Sequence, residues 1–254
     1  GPDGEGIWLN DKKNIGLGHR RLSIIDLSDT GKQPMHFANN RYTITFNGEI
    51  YNYLELKTEL EKKEYRFVSS SDTEVILALF DLKREKLLED LDGMFAFCIW
   101  DNHSNTLFCA RDRFGEKPFF YHCNTDYFAF ASEMKALFEL GITNTINRKK
   151  VYDYLLYATL EDPYDKSTTF YESIKQLEPS HYMIVSADRT ITKKQYWNLE
   201  LNKTSDISEK EAIAKFRNLF TSSIERRLRS DVPVGSSLSG GLDSSSLVAL
   251  LAGL

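Results

Sequence analysis

Cysteine is scarce: Cys98, Cys109 and Cys123 are the only three in 254 residues. Their spacing matches neither CxxC nor a zinc site, and three cysteines cannot build a disulfide scaffold. A sparse, odd set suits a reducing compartment, so a cytoplasmic setting is expected. Long hydrophobic runs are also missing. The longest compact one, Gly93 to Trp100, has the length of a buried strand, far short of the roughly 18–20 residues that span a bilayer. No basic excess is present either: 32 Lys and Arg stand against 37 Asp and Glu, a net charge of −5, which argues against a nucleic-acid partner. The five histidines form no HxxxH or HExxH pattern, so they read as structural or surface residues, and no metal site is expected. What remains is ordinary globular composition, 41% hydrophobic and 27% charged, in a chain long enough to bury a sizeable core.

The N-terminal run Gly1 to Gly6 consists of turn residues and lacks a signal-peptide pattern. Leu254 stops inside an apolar helical pattern, and both ends are expected to be cut. Ile15 to Ile25 reads as strands and connections, and Tyr42 to Phe46 as an alternating strand. Asn47-Gly48 follows as a turn dipeptide. A charged helix is expected from Asn52 to about Lys63, with a strand at Tyr65–Val68 behind it. Ser71 or Asp72 then caps a helix whose stripe is Val75, Ile76, Leu79 and Leu82. Strands are expected at Met94–Trp100, Thr106–Ala110, Phe119–Tyr121 and Tyr127–Ala131, and their close spacing suggests antiparallel sheets. Helices follow at Glu133–Leu140 and Arg148–Ala158, then a looser stretch from Glu161 to about Ser180 that holds Pro163. Two strands, His181–Ser186 and Ile191–Trp197, complete a first unit spanning residues 1–198. The polar segment Leu199 to Asp206 marks a boundary. In residues 199–254, Ser208 and Glu211 make a capping box for a long helix with Phe216, Leu219 and Ile224 on its apolar face. A short strand, Val232–Leu238, a loop, Ser239–Ser245, and a helix from Ser246 end the chain.

Four constellations could carry chemistry. In Ser239-Gly240-Gly241-Leu242-Asp243-Ser244-Ser245, small residues admit a ligand to the main chain, and successive N–H groups at a helix start cradle anions. The alternative is a tight turn with capping residues, and the loop is not a Walker A motif. In Asn47-Gly48-Glu49, a bare Gly48 N–H beside the Asn47 amide makes a two-donor oxyanion arrangement. The alternative there is a plain Asn-Gly hairpin turn. Arg20-Arg21 offers a guanidinium suited to a carboxylate. Neighbours on a strand point to opposite faces, so at most one of the pair serves a given site. Asp72, taken alone, reads as a helix cap.

Together these motifs resemble glutamine-dependent asparagine synthetases. The resemblance rests on Gly1-Pro2-Asp3-Gly4, His19 to Asp26, Asn47 to Asn52, Ser71 to Val75, Gly93 to Phe97, Arg111 to Gly115, Ser132 to Leu137 and Ser239 to Ser245. It covers nearly the whole chain and is loose between about Gly141 and Asp206. It implies an α+β fold: an N-terminal-nucleophile hydrolase-like αββα sandwich of antiparallel sheets, then the first strand-loop-helix of an α/β ATP-pyrophosphatase domain. It implies that Arg21 grips the α-carboxylate of glutamine, with the main chain of the run from Leu22 lining the pocket. Asn47 and Gly48 would form the oxyanion hole, and Glu49 and Asp72 would receive the α-ammonium. Leu238 would lie near a nucleoside, while Ser239, Gly240, Gly241, Asp243, Ser244 and Ser245 would hold ATP phosphates. Glutamine, aspartate and ATP would be substrates, with Mg2+ held by residues beyond this sequence, and a homodimer is an open expectation. The family's nucleophile is a cysteine at the start of the mature chain, and none of the three cysteines here occupies that position. This polypeptide is therefore expected to hydrolyse no glutamine itself. The other readings are an amidotransferase acting on a different carboxylate and a non-catalytic glutamine-binding remnant.

Overall fold

The computed structural model describes every residue except 161, 163, 205 and 254. Glu161 and Pro163 of the looser stretch, Ser205 of the linker and the terminal Leu254 thus lie outside the described residues. Strands β1 (Gly4–Leu9) and β2 (Gly16–Arg21) pair with each other. Then come β3 (Met35–Phe37), β4 (Tyr42–Ile50), α1 (Tyr53–Glu61), α2 (Asp72–Lys83) and the short α3 (Leu87–Asp90). Strands β5 (Gly93–Asp101), β6 (Thr106–Arg111), β7 (Phe120–Cys123) and β8 (Phe128–Ala131) follow, then α4 (Met134–Phe138) and α5 (Arg148–Tyr157). The remaining elements are β9 (Lys175–Gln176), β10 (His181–Val185), β11 (Ile191–Gln195), α6 (Glu209–Arg227) and α7 (Leu242–Leu251).

The apolar run in β5 explains the layering. Phe95, Phe97 and Ile99 join the core beneath α1, α2 and α3. Their alternates Ala96, Cys98 and Trp100 join a second core with Leu17 of β2 and Tyr121 of β7. Successive side chains of a strand face opposite ways, so a strand buried on both sides reads as one continuous apolar stretch. Each such large side chain contributes roughly 1.5–3 kcal/mol on burial. The central sheet has six antiparallel strands in the order β11-β10-β6-β5-β4-β3. The β1-β2 pair and the β8-β7-β9 sheet make the next layer. Helix α4 covers the outer side of the latter through Leu137, with Ala129, Ile142 and Ile174 around it. Helices, sheet, sheet and helix stack as the αββα sandwich that the resemblance implied.

Several local expectations are corrected. Asn47-Gly48 is no turn: β4 runs on to Ile50, with Asn47 opposite Ala96 and Gly48 opposite Phe95. Residues 65–68 form no strand, because their donors are used locally. The Tyr65 N–H closes α1 on Leu60, and the Val68 and Ser69 N–H groups donate to Glu74. Gly4 to Gly6, read as turn residues, open β1. Residues 232–238 are not a strand, since no neighbouring strand among the described residues offers them a ladder. Helix α7 starts at Leu242 instead of Ser246, which puts Asp243, Ser244 and Ser245 in its first turn. The capping box of α6 forms as expected, but of its expected apolar face Ile224 is buried while Phe216 and Leu219 stay exposed.

Candidate functional site

Strand β3 pairs only with Tyr42–Ile44, so the rest of that edge of β4 is open to other partners. The Phe46 N–H donates to Gln33 Oε1 at 2.6 Å, and the Ile50 N–H donates to Asp72 Oδ2 at 2.9 Å. By the two-residue period of the ladder, the Gly48 N–H points to the same edge, between these two capped amides. Glycine is required there. A Cβ would lie 2.1 Å from the Met94 carbonyl oxygen, and φ is +153°. The edge opens into a cavity of about 660 Å³. Its walls include Arg21, Leu22, Asn47, Gly48, Glu49 and Asp72, so these predicted residues share one hollow.

Arg20 and Arg21 divide as strand alternation demands. Arg20 turns outward to an exposed ion pair with Glu5 at 2.8 Å. Arg21 is buried, and the loop after β2 wraps its guanidinium. Nη1 donates to Ser28 O at 3.0 Å, while Nη2 donates to Ile25 O at 3.1 Å and to Asp26 O. The loop approaches so closely that a Cβ on Gly31 would sit 2.1 Å from Nη2. Three of the five N–H bonds of an arginine are thereby committed, both of those on Nη2 among them, which leaves the Nε–H and one Nη1–H.

The opposite pole is acidic. Ser71 caps α2, accepting from the Thr73 N–H at 3.2 Å, and so presents Asp72 as the first helical residue. Burial pushes the Asp72 carboxyl up to about 6; the nearby Glu49 charge adds to this, while hydrogen bonds from Ile50, Thr73 and Ser71 oppose it. Burial also raises Glu49, with Lys117 working the other way. Asn47 Nδ2 donates to Ser132 Oγ at 3.3 Å at the rim. A carboxylate pole, an ammonium pole and an amide-lined notch between them fit a small amino-acid zwitterion whose reacting group gains negative charge.

Further lining residues carried no predicted role. His19, read as structural or surface, lines the cavity, and its Nε2–H donates to Phe46 O at 3.0 Å. Burial lowers its pKa, and the buried Nδ1 has no partner among the described residues. Lys117 and Gln33 also line the hollow. Lys117 is placed by buried Asp112, whose carboxylate accepts from the Phe95, Phe114, Glu116 and Lys117 N–H groups. The run from Arg111 to Phe119 was the available signal for that loop. None of Cys98, Cys109 and Cys123 lines the cavity. Cys98 and Cys109 face each other across β5 and β6 in the core.

Residues 238–245 lie apart from this cavity and are mostly exposed. Ser239 Oγ and Ser244 Oγ are 2.9 Å apart, and Ser244 Oγ donates to Gly241 O at 3.2 Å. Gly240 has φ +81° with open space around it, and Leu238 is exposed. The first-turn N–H groups of α7 and these hydroxyls form a donor set that suits phosphate oxygens. Among the described residues, no group of three His, Cys, Asp or Glu could hold a metal ion, and no helix is long and apolar enough to cross a membrane.

Comparison with known proteins adds three findings. The family described as "Glutamine amidotransferase domain" matches residues 1–197, and "Asparagine synthase" matches residues 215–254. Asparagine synthetase [glutamine-hydrolyzing] 1 of Bacillus subtilis is 39% identical over 250 residues, covering 98% of this chain and 38% of the relative. A putative asparagine synthetase [glutamine-hydrolyzing] 2 of Methanocaldococcus jannaschii is 39% identical, covering 99% of this chain and 51% of the relative. Amidase chry2 of Gibberella zeae is 35% identical, covering 100% of this chain and 37% of the relative. The chain thus spans between about two fifths and one half of the length of these relatives. Among solved structures, glutamine phosphoribosylpyrophosphate amidotransferase from B. subtilis, complexed with ADP and GMP, shares the fold. Its TM-score is 0.52 at 19% identity, covering 94% of this chain and 50% of that one.

Proposed function

Because the chain belongs to the glutamine amidotransferase domain family, we propose that its cavity is a glutamine site. Arg21 attracts the α-carboxylate with its guanidinium charge and one of its remaining N–H bonds. Ionised Glu49 and Asp72 hold the α-ammonium. The side-chain amide of glutamine then lies along the open edge of β4. Attack on its carbonyl carbon would place an oxyanion against the Gly48 N–H and Asn47 Nδ2, and that charge is what the notch stabilises. The observation that carries this reading is the meeting of Arg21, Asn47, Gly48, Glu49 and Asp72 around one hollow.

The nucleophile is the part this chain does not supply, because no cysteine reaches the cavity. The 254-residue chain therefore binds glutamine without releasing ammonia. The longer activity proposed is asparagine synthesis. Ammonia from glutamine displaces AMP from an aspartyl-adenylate made from aspartate and ATP. Leu238, Ser239, Gly240, Gly241, Asp243, Ser244 and Ser245 would contact that ATP, whose phosphates suit the donors at the start of α7; its Mg2+ would be held by residues outside this sequence. Residues 1–198 would form the glutamine unit, with 199–254 leading into the ATP unit. A second reading keeps the glutamine site and gives the ammonia to another carboxylate.

Calorimetry with L-glutamine, glutaramate (which lacks the α-ammonium) and ATP tests the assignment. The expected result is glutamine binding that is at least about tenfold tighter than glutaramate binding, a ratio worth roughly 1.4 kcal/mol. Equal binding of the two, or binding of neither, would overturn it.

A further inference from the structure

The loop that wraps the Arg21 guanidinium is held from outside by the segment that follows α6. Asp231 grips both sides of its sharpest bend. The Asp231 backbone N–H donates to Ile24 O at 2.9 Å, and Asp231 Oδ2 accepts from the Asp26 N–H at 2.7 Å. Between those contacts Asp26 adopts φ +58°, a left-handed conformation unfavourable for a residue with a Cβ. The bend needs its supports. The Asp26 carboxylate accepts from the Ser28 N–H at 3.0 Å, from Thr30 Oγ1 at 2.9 Å and from the Ser70 N–H at 2.9 Å. Among the described residues, Asp231 is the one that secures the Asp26 amide itself. This bend is the stretch whose carbonyls, at Ile25, Asp26 and Ser28, orient the guanidinium.

The preceding residues anchor the same segment to the other side of the pocket. Arg229 Nη1 donates to Tyr51 O at 2.7 Å, two residues beyond Glu49, and Nη2 donates to Glu55 Oε1 at 2.8 Å. Arg226 Nη1 donates to Asp92 Oδ2 at 2.9 Å. These arginines thus tie the end of α6 to Tyr51, Glu55 and Asp92. The segment ends eight residues before Ser239.

We propose that Asp231 is a positioning residue for the carboxylate pole: through Asp26 and Ile24 it holds the carbonyl ring that aims Arg21 into the cavity. The part that concerns ligand affinity rests on the glutamine reading; the part that concerns Arg21 does not. Asp231→Ala removes the acceptor, while Asp231→Asn keeps an amide oxygen in place for the Asp26 N–H. Two readouts are needed on the full chain: hydrogen exchange of the Arg21 Nη–H groups, which the loop carbonyls hold, and of the Asp26 amide by NMR, and L-glutamine affinity by calorimetry. Asp231→Ala is expected to speed both exchanges and to weaken glutamine binding about tenfold, with Asp231→Asn restoring most of each. Unchanged Arg21 Nη–H exchange in Asp231→Ala would overturn the proposal. So would equal losses in both variants accompanied by equal drops in melting temperature, which mark general support of the fold. If the unmodified chain takes no glutamine, the glutamine reading fails, and Arg21 exchange alone still decides the role of Asp231.

Discussion

At the scale of single residues, Asp72 and Gly48 make the sharpest claims. Asp72 has a folded pKa near 6, raised first by burial, against an ordinary value near 4. A raised acid is stabilising below its unfolded pKa, and that contribution is lost as pH climbs through about 6. The melting temperature gained by Asp72→Asn should therefore be larger at pH 8 than at pH 5, as thermal melts at the two values will show. Glutamine affinity should fall as pH drops through about 6, since a protonated Asp72 cannot pair with an ammonium. A flat calorimetric pH profile would speak against Asp72 as the ammonium partner. Gly48→Ala should cost about 1–3 kcal/mol in urea unfolding, because it combines the +153° φ with a contact to Met94 O. The family resemblance named Arg21, Glu49 and Asp72, and all three line one hollow, although Asp72 taken alone read only as a helix cap. His19 and Gln33 were given no role there. Their place depends on the partnerless edge of β4, which arises from pairing far along the chain.

At the scale of elements, alternation and capping were readable and register was not. Ser71 was legible as a helix cap, and the same hydrogen bond sets Asp72 in the first turn of α2. Ser71→Ala should cost about 1 kcal/mol of stability in denaturant unfolding and should also weaken glutamine binding by loosening Asp72. Loss of stability without any change in binding would separate the cap from the site. Asn47-Gly48 shows how a strong local signal loses to a sheet. The dipeptide favours a turn, yet β5 offers partners from Gly93 to Asp101 along the whole of β4. The reverse holds at residues 232–238, where Val232 and Val234 find no neighbouring strand among the described residues and stay without a ladder. Strand formation is a property of pairs, so a single segment announces only half of it.

At the scale of the molecule, strand spacing spoke only for antiparallel sheets, while the αββα order came from the family resemblance, and the doubly buried β5 run fits it. The position of the cavity at the open edge of β4 did not follow, because it depends on how short β3 is. A coupled assay for ammonia should find no glutamine turnover by this chain, and sustained turnover would mean that an unassigned nucleophile reaches the notch. The most direct test of the central claim is an amide NMR titration with L-glutamine. The account predicts that Gly48, Ile50 and Thr73 shift together and saturate, and that Arg21→Ala abolishes those shifts while the fold persists. Shifts confined to other surfaces, or shifts that survive Arg21→Ala unchanged, would contradict it.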